Sequence, residues 1–153
     1  MSLLRLVYFS TNVTAVGPAV AANLKQILNA SIRNNAAAGI TGGLMFNRNY
    51  FVQVLEGERS GLLRTFTRIS VDARHQDVVL LEQKPVNKRI FGSWSMGFAG
   101  RTDLFNQMLE RFCSSGKFDP RDMTGDQLTD FTFEMVSKES GFVSAPSTQL
   151  IET

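Results

Sequence analysis

A single cysteine, Cys113, and a single histidine, His75, remove several chemistries at once. One cysteine cannot close an internal disulfide, and with only one histidine beside it there is no Cys/His zinc site. Neither residue has an activating neighbour in the sequence, which argues against a nucleophilic Cys/His pair. Charge of one sign is also scarce. The net charge is +2 and the Lys and Arg residues are scattered. That gives little reason to expect nucleic acid, although it leaves room for a few basic contacts to a phosphate. No apolar run approaches the length of a membrane span. The opening "MSLLRLVYFS" is too short and too polar for a secretion signal and reads as a strand. The expectation is a cytoplasmic protein with no membrane partner.

What is present is an ordinary globular composition. At 153 residues, 43% of them hydrophobic, the chain can bury a core without a covalent staple, and one domain is the default. "LLRLVYF" is β-rich, with Leu4, Leu6 and Tyr8 on one face. In the next stretch Pro18 suits a first helical turn, and Leu24, Ile27, Leu28 and Ile32 lie at helical spacing, with Gly39 placed to end it. "GGLMF" and "YFVQVLE" flank "NRN" as an antiparallel hairpin. "SGLLRTFTRISVDARH" puts Leu62, Leu63, Phe66 and Ile69 on one helical face. "DVVLLEQ" is a short strand that Pro85 interrupts. "FGSWSMGF" alternates, which predicts a last strand with Trp94, Met96 and Phe98 on one face.

The order is β-α-β-β-α-β with one more strand. This predicts an α+β, ferredoxin-like antiparallel sheet carrying two helices on one face. First and third strands are central neighbours in that topology, so Tyr8 and Gln53 would sit side by side. Beyond Gly100 the pattern becomes helical. Leu104, Phe105, Met108, Leu109 and Phe112 form one stripe, with Thr102 as a candidate N-cap. Thr124-x-x-Gln127 has capping-box spacing ahead of Leu128, Phe131 and Met135. These two helices are expected to cap the other face of the sheet. The end, "GFVSAPSTQLIET", has no periodicity and is expected to be mobile. The expected division is 1–100, 101–140 and 141–153.

One residue is out of place. Gln53 lies among Phe51, Val52, Val54 and Leu55, and an amide buried without a partner costs about 1–3 kcal/mol. Tyr8 is its expected neighbour. Asn34 and Asn35 end the first helix. A phenol and amides can hydrogen-bond a flat heteroaromatic ring that offers carbonyls and an N–H on its edge. The same residues also fit a plain core with satisfied polar groups and a helix C-cap. Residue chemistry alone leaves both readings open.

Five elements together decide more. "LVYFS" at 6–10, "IRNNAAAGITGGLMF" at 32–46, "FVQVLEGE" at 51–58, "RISVDARH" at 68–75 and "RIFGSWSMGF" at 89–98 stand in one order. On these, the chain resembles the BLUF family of blue-light sensors that use FAD, over roughly residues 1–100. The resemblance implies non-covalent FAD between the two sheet-packed helices, with Asn35 and Asn34 at the ring edge. It implies that Tyr8 supplies an electron and a proton under blue light and that Gln53 rearranges. A ring carbonyl would then gain a stronger hydrogen bond, giving a small red shift that reverses in the dark. Arg68, Asp72, Arg74 and His75 match the family's second-helix segment and are candidates for the cofactor's ribityl chain or ring. Trp94 and Met96 match its last strand, a candidate signal relay, with either side chain able to face the flavin.

The short C-terminal extension is too small for a cyclase or phosphodiesterase domain. It resembles short family members that signal to a separate protein, and homo-oligomers are implied. The expectation is therefore a non-enzymatic photoreceptor. Two alternatives stay open: a light-independent small-molecule regulatory module and an acylphosphatase-like hydrolase on the same fold. The second is weakened because "STNVTAVG", after the first strand, holds no Arg.

Overall fold

The computed structural model describes residues 3–12, 19–47, 49–71, 75–92, 94, 96–100, 102–113 and 116–139. Strand β1 (Leu3–Asn12) is followed by helix α1 (Ala19–Ala38), the hairpin β2 (Thr41–Phe46) and β3 (Tyr50–Glu58), helix α2 (Arg59–Ser70) and strand β4 (His75–Pro85). A short β5 (Gly97–Ala99) and helices α3 (Thr102–Phe112) and α4 (Gly125–Glu139) complete the order. The sheet runs β4-β1-β3-β2-β5. β1 is antiparallel to both β3 and β4, whereas β5 is parallel to β2. The first four strands make the ferredoxin-like arrangement expected from the element order, whereas the parallel β5 departs from the all-antiparallel sheet expected.

Local signals account for the boundaries. Gly39 takes φ +70 and ends α1, a conformation that costs glycine nothing. Asn47 closes the hairpin, its Oδ1 accepting from the N–H groups of Asn49 and Tyr50 at 2.8 Å each. Glu58 caps α2 by accepting from Ser60 N. Thr124 and Gln127 form the reciprocal capping box at the start of α4, at 2.9 and 3.1 Å. Thr102, the candidate N-cap, is the first residue of α3. Pro18, the tail beyond residue 139, and the side chains of Leu24, Ile27 and Leu28 also lie outside the described structure.

Strand alternation divides the core in two. Leu4, Leu6, Tyr8, Leu44, Phe51 and Leu55 face α1 and α2, where Ile32, Leu62, Phe66 and Ile69 cover them. Val7, Phe9, Met45, Val52 and Val54 face the C-terminal helices, where Leu128, Phe131, Met135 and Val136 of α4 cover them. α3 packs on α4 through rings, with Phe112 stacked on Phe131 at 4.9 Å and Phe105 at 5.2 Å from it. The two C-terminal helices thus cap the free face, as their apolar stripes predict.

The last strand is corrected. Its alternation suggests a run through Phe91–Phe98, but only Gly97–Ala99 pairs in the sheet. Before it the backbone turns, with Trp94 N donating to Phe91 O at 3.0 Å. Period-two geometry therefore does not link Trp94 to Met96. Trp94 packs on the α4 side, whereas Met96 is buried in the core beneath α1 and α2.

Candidate functional site

β1 and β3 pair without a break, and their register places Tyr8 opposite Gln53. Both side chains therefore point to the same face, under α1 and α2. Tyr8 is fully buried and Gln53 is 3% exposed. The Tyr8 hydroxyl donates to Gln53 Oε1. On its other side, Gln53 Nε2 donates to Met96 Sδ at 3.5 Å. The amide thus spans a phenol and a thioether. The first bond joins strong partners and the second a weak acceptor, so the amide's amino end is the lightly held one. Phe66 of α2 closes over the phenol edge-on, with ring centroids 5.5 Å apart.

Asn35 is buried in the last turns of α1, and Asn34 beside it is half-buried. The pair lies inside the helix, which continues to Ala38, and so is not a C-cap. Among the described residues, the buried polar set on this face, Tyr8, Ser10, Asn35, Gln53 and Thr65, is neutral throughout. The two buried charged residues among those described, Arg5 and Glu56, share the parity of Val7 and Val54 and so face the other way. A neutral set of hydroxyl and amide groups on an apolar floor fits an uncharged heteroaromatic ring with carbonyl and N–H edges. It offers neither a nucleophile–base pair nor a cation ligand set. Among the described residues, no cluster of His, Cys, Asp or Glu could hold a metal ion.

Of the remaining candidates, Arg68 is exposed in the last turn of α2. Asp72 and Arg74 lie outside the described residues, as does the side chain of His75. Trp94 is half-buried against Phe91 and Phe133, with its indole N–H buried and without a hydrogen-bond partner among the described residues.

The family model described as "Sensors of blue-light using FAD" matches residues 3–97, which includes Tyr8, Gln53, Asn35 and Met96. The chain belongs to the BLUF family. Among curated relatives, the photoactivated adenylate cyclase subunit beta of Euglena gracilis is 36% identical over 97 residues, 62% of this chain and 11% of that protein. The chain therefore spans about a tenth of the length of the curated relatives it matches. Among solved structures, the photo-activated state of BlsA superposes with a TM-score of 0.77 at 27% identity, covering 88% of this chain and 94% of that one. The dark state of BlrB, a BLUF protein, superposes at 0.69 with 28% identity, covering 90% and 97%. The BLUF fold is thus shared with solved structures over most of the chain. As a BLUF protein the chain is a blue-light photoreceptor of the flavin-binding type. No helix among its described residues is long and apolar enough to cross a membrane.

Sequence reasoning passed over Glu56, Thr41 and Arg89, which are linked to one another around the segment that leads to Met96. A signal for Glu56 was there: a carboxylate in phase with Val52 and Val54 on a buried strand needs partners as much as Gln53 does.

Proposed function

We propose that the protein is an FAD photoreceptor in which Tyr8, Gln53 and Met96 form the light-responsive relay, with output to a separate protein. The observation that carries this reading is the buried hydrogen bond from Tyr8 Oη to Gln53 Oε1, continued from Gln53 Nε2 to Met96 Sδ. When bound, the flavin supplies blue-light absorption and an excited ring able to accept an electron and a proton. Tyr8 is the donor. As its phenol gives up an electron its O–H becomes strongly acidic, and Gln53 Oε1 is the atom placed to take the proton. The amide then changes its pattern of donors and acceptors by rotation or tautomerisation. A rotated amide turns its carbonyl toward the Met96 thioether, where no donor waits, so the Met96 contact is lost. The backbone of β3 need not move. Asn35, with Asn34, orients the ring edge, and Phe66 excludes water from the phenol. Arg68, with Asp72, Arg74 and His75, is assigned to the cofactor's polar chain.

Signal leaves through the Met96 segment and β5 toward α4, which packs on both sheet strands at that edge. The receiver is assigned to a separate protein, and the photoreceptor is assigned to work as a homo-oligomer in the cytoplasm.

Absorption spectra of the flavin-loaded protein in the dark and under blue light test the reading. The expected result is a small red shift that reverses in the dark, retained flavin in Gln53→Leu, and no shift in that variant. Released flavin identified by chromatography should be FAD. A colourless protein that takes up no FAD, or an unchanged photocycle in Gln53→Leu, would overturn it.

A further inference from the structure

Glu56 is a charged residue that this photochemistry does not use, yet it is fully buried. Its carboxylate is saturated with donors. Arg5 Nε reaches Oε2 at 3.3 Å and Thr41 Oγ1 reaches Oε1 at 3.3 Å. The two shorter bonds come from backbone: Ile90 N to Oε2 and Phe91 N to Oε1, both 2.8 Å. Arg89 fastens the same place from outside. Its Nη1 donates to Thr41 Oγ1 at 2.9 Å and to the Glu56 carbonyl at 3.1 Å, and its Nη2 to Gly39 O at 2.9 Å.

What these bonds hold is the strap that carries Met96. Residues 89–91 are clamped to β2 and β3. The chain then turns at Trp94, whose carbonyl accepts from Gly42 N at 3.2 Å, and reaches Met96 just before β5 pairs with β2. Glu56 and Gln53 sit on one strand with opposite faces, so β3 holds the amide on one side and the root of the strap on the other. A simple ion pair with Arg5 does not account for this. That contact is a single 3.3 Å approach, whereas both carboxylate oxygens are spent on strap N–H groups at 2.8 Å. Hydrogen bonds to an ionised acceptor are the stronger kind.

We infer that Glu56 is a positioning residue for the switch: its carboxylate clasps residues 90 and 91, the root of the strap leading to Met96, and so controls how readily Met96 leaves and re-engages Gln53. This rests on the relay proposed above. Glu56→Gln keeps one acceptor oxygen but sets an NH2 against a strap N–H, which loosens the clasp without removing bulk.

The test compares dark recovery of flavin-loaded wild-type protein, Glu56→Gln, Met96→Ala and the double variant. Glu56→Gln should remain yellow and recover about tenfold faster, the rate equivalent of about 1.4 kcal/mol. In the Met96→Ala background the acceleration should vanish. Recovery that is unchanged or slower in Glu56→Gln, or equal acceleration with and without Met96, would overturn the inference. If Glu56→Gln does not fold, Arg89→Gln loosens the same strap from its half-buried side and is judged by the same outcomes. Trp94, the single tryptophan, gives a readout that needs no photochemistry. Acrylamide quenching of its fluorescence should rise in either variant, and unchanged quenching would refute the clasp. A wild-type protein without any red shift would instead refute the relay, and quenching would still decide the clasp.

Discussion

Strand β3 carries two polar side chains where a buried strand normally has none, Gln53 and Glu56, and they answer the burial cost in different ways. Gln53 bridges unequal partners, a phenol and a thioether, and keeps a soft end. Glu56 is saturated by donors and behaves as a fixed peg. The first arrangement suits the turning amide proposed for the switch, the second the fixed clasp proposed beside it. Tyr8→Phe separates the phenol's roles. It should keep the flavin, lose the normal red shift, and leave Gln53 Oε1 without its donor. The last effect should cost about 1–3 kcal/mol of stability, measured by chemical denaturation. Ordinary recovery kinetics in Tyr8→Phe would remove Tyr8 as the electron and proton donor.

At the level of elements, the junction of β5 with α4 is a close one. A Cβ on Gly97 would stand 2.3 Å from Val136 Cγ1, so the strand approaches the helix as only glycine permits. Gly97→Ala should destabilise the protein by about 1–3 kcal/mol through overpacking, read as a lower denaturation midpoint. A neutral result would mean that β5 and α4 yield easily at this point. The shortness of β5 has the same origin as the divergence of Trp94 from Met96. Alternation in "FGSWSMGF" is a property of side chains along a fully extended chain, but the N–H groups of Ile90 and Phe91 are taken by Glu56 and not by a strand neighbour. The chain is bent before it reaches the sheet. A pattern within eight residues cannot report a bond to a carboxylate more than thirty positions away.

For the whole molecule, the sheet is a partition with one core on each side. The α3–α4 side contains Cys113, which is 8% exposed and lies 3.8 Å from Met123 Sδ. Burial pushes its thiol above the ordinary cysteine range. Because the folded value is the higher one, the associated stability is present below the unfolded value of about 8.5 and is lost as pH rises through the folded value. Cys113 should therefore resist iodoacetamide in the native protein near neutral pH and react once the C-terminal cap opens. Mass spectrometry across a denaturant series should show alkylation rising with unfolding of that core; rapid labelling of the native protein would show the cap to be loose.

Much of this was legible in the sequence alone. The element order specified the strand neighbours, because short connections and a split βαβ unit leave few sheet topologies. Period-two spacing put Tyr8 and Gln53 inside, and helical stripes at Leu104–Phe112 and Leu128–Met135 announced two helices with a face to bury. The capping box at Thr124 and the left-handed turn at Gly39 were local events between near neighbours, so local sequence determined them. What only the tertiary structure decided was every relation between distant polar groups. These are the direction of the Gln53 amide, the assignment of Met96 to the Tyr8 face and Trp94 to the α4 face, and the closure of Glu56 on the strap. Hydrophobic periodicity is summed along the chain and survives in sequence. A hydrogen bond of about 3 Å depends on three-dimensional register, and register exists only once the strands have paired.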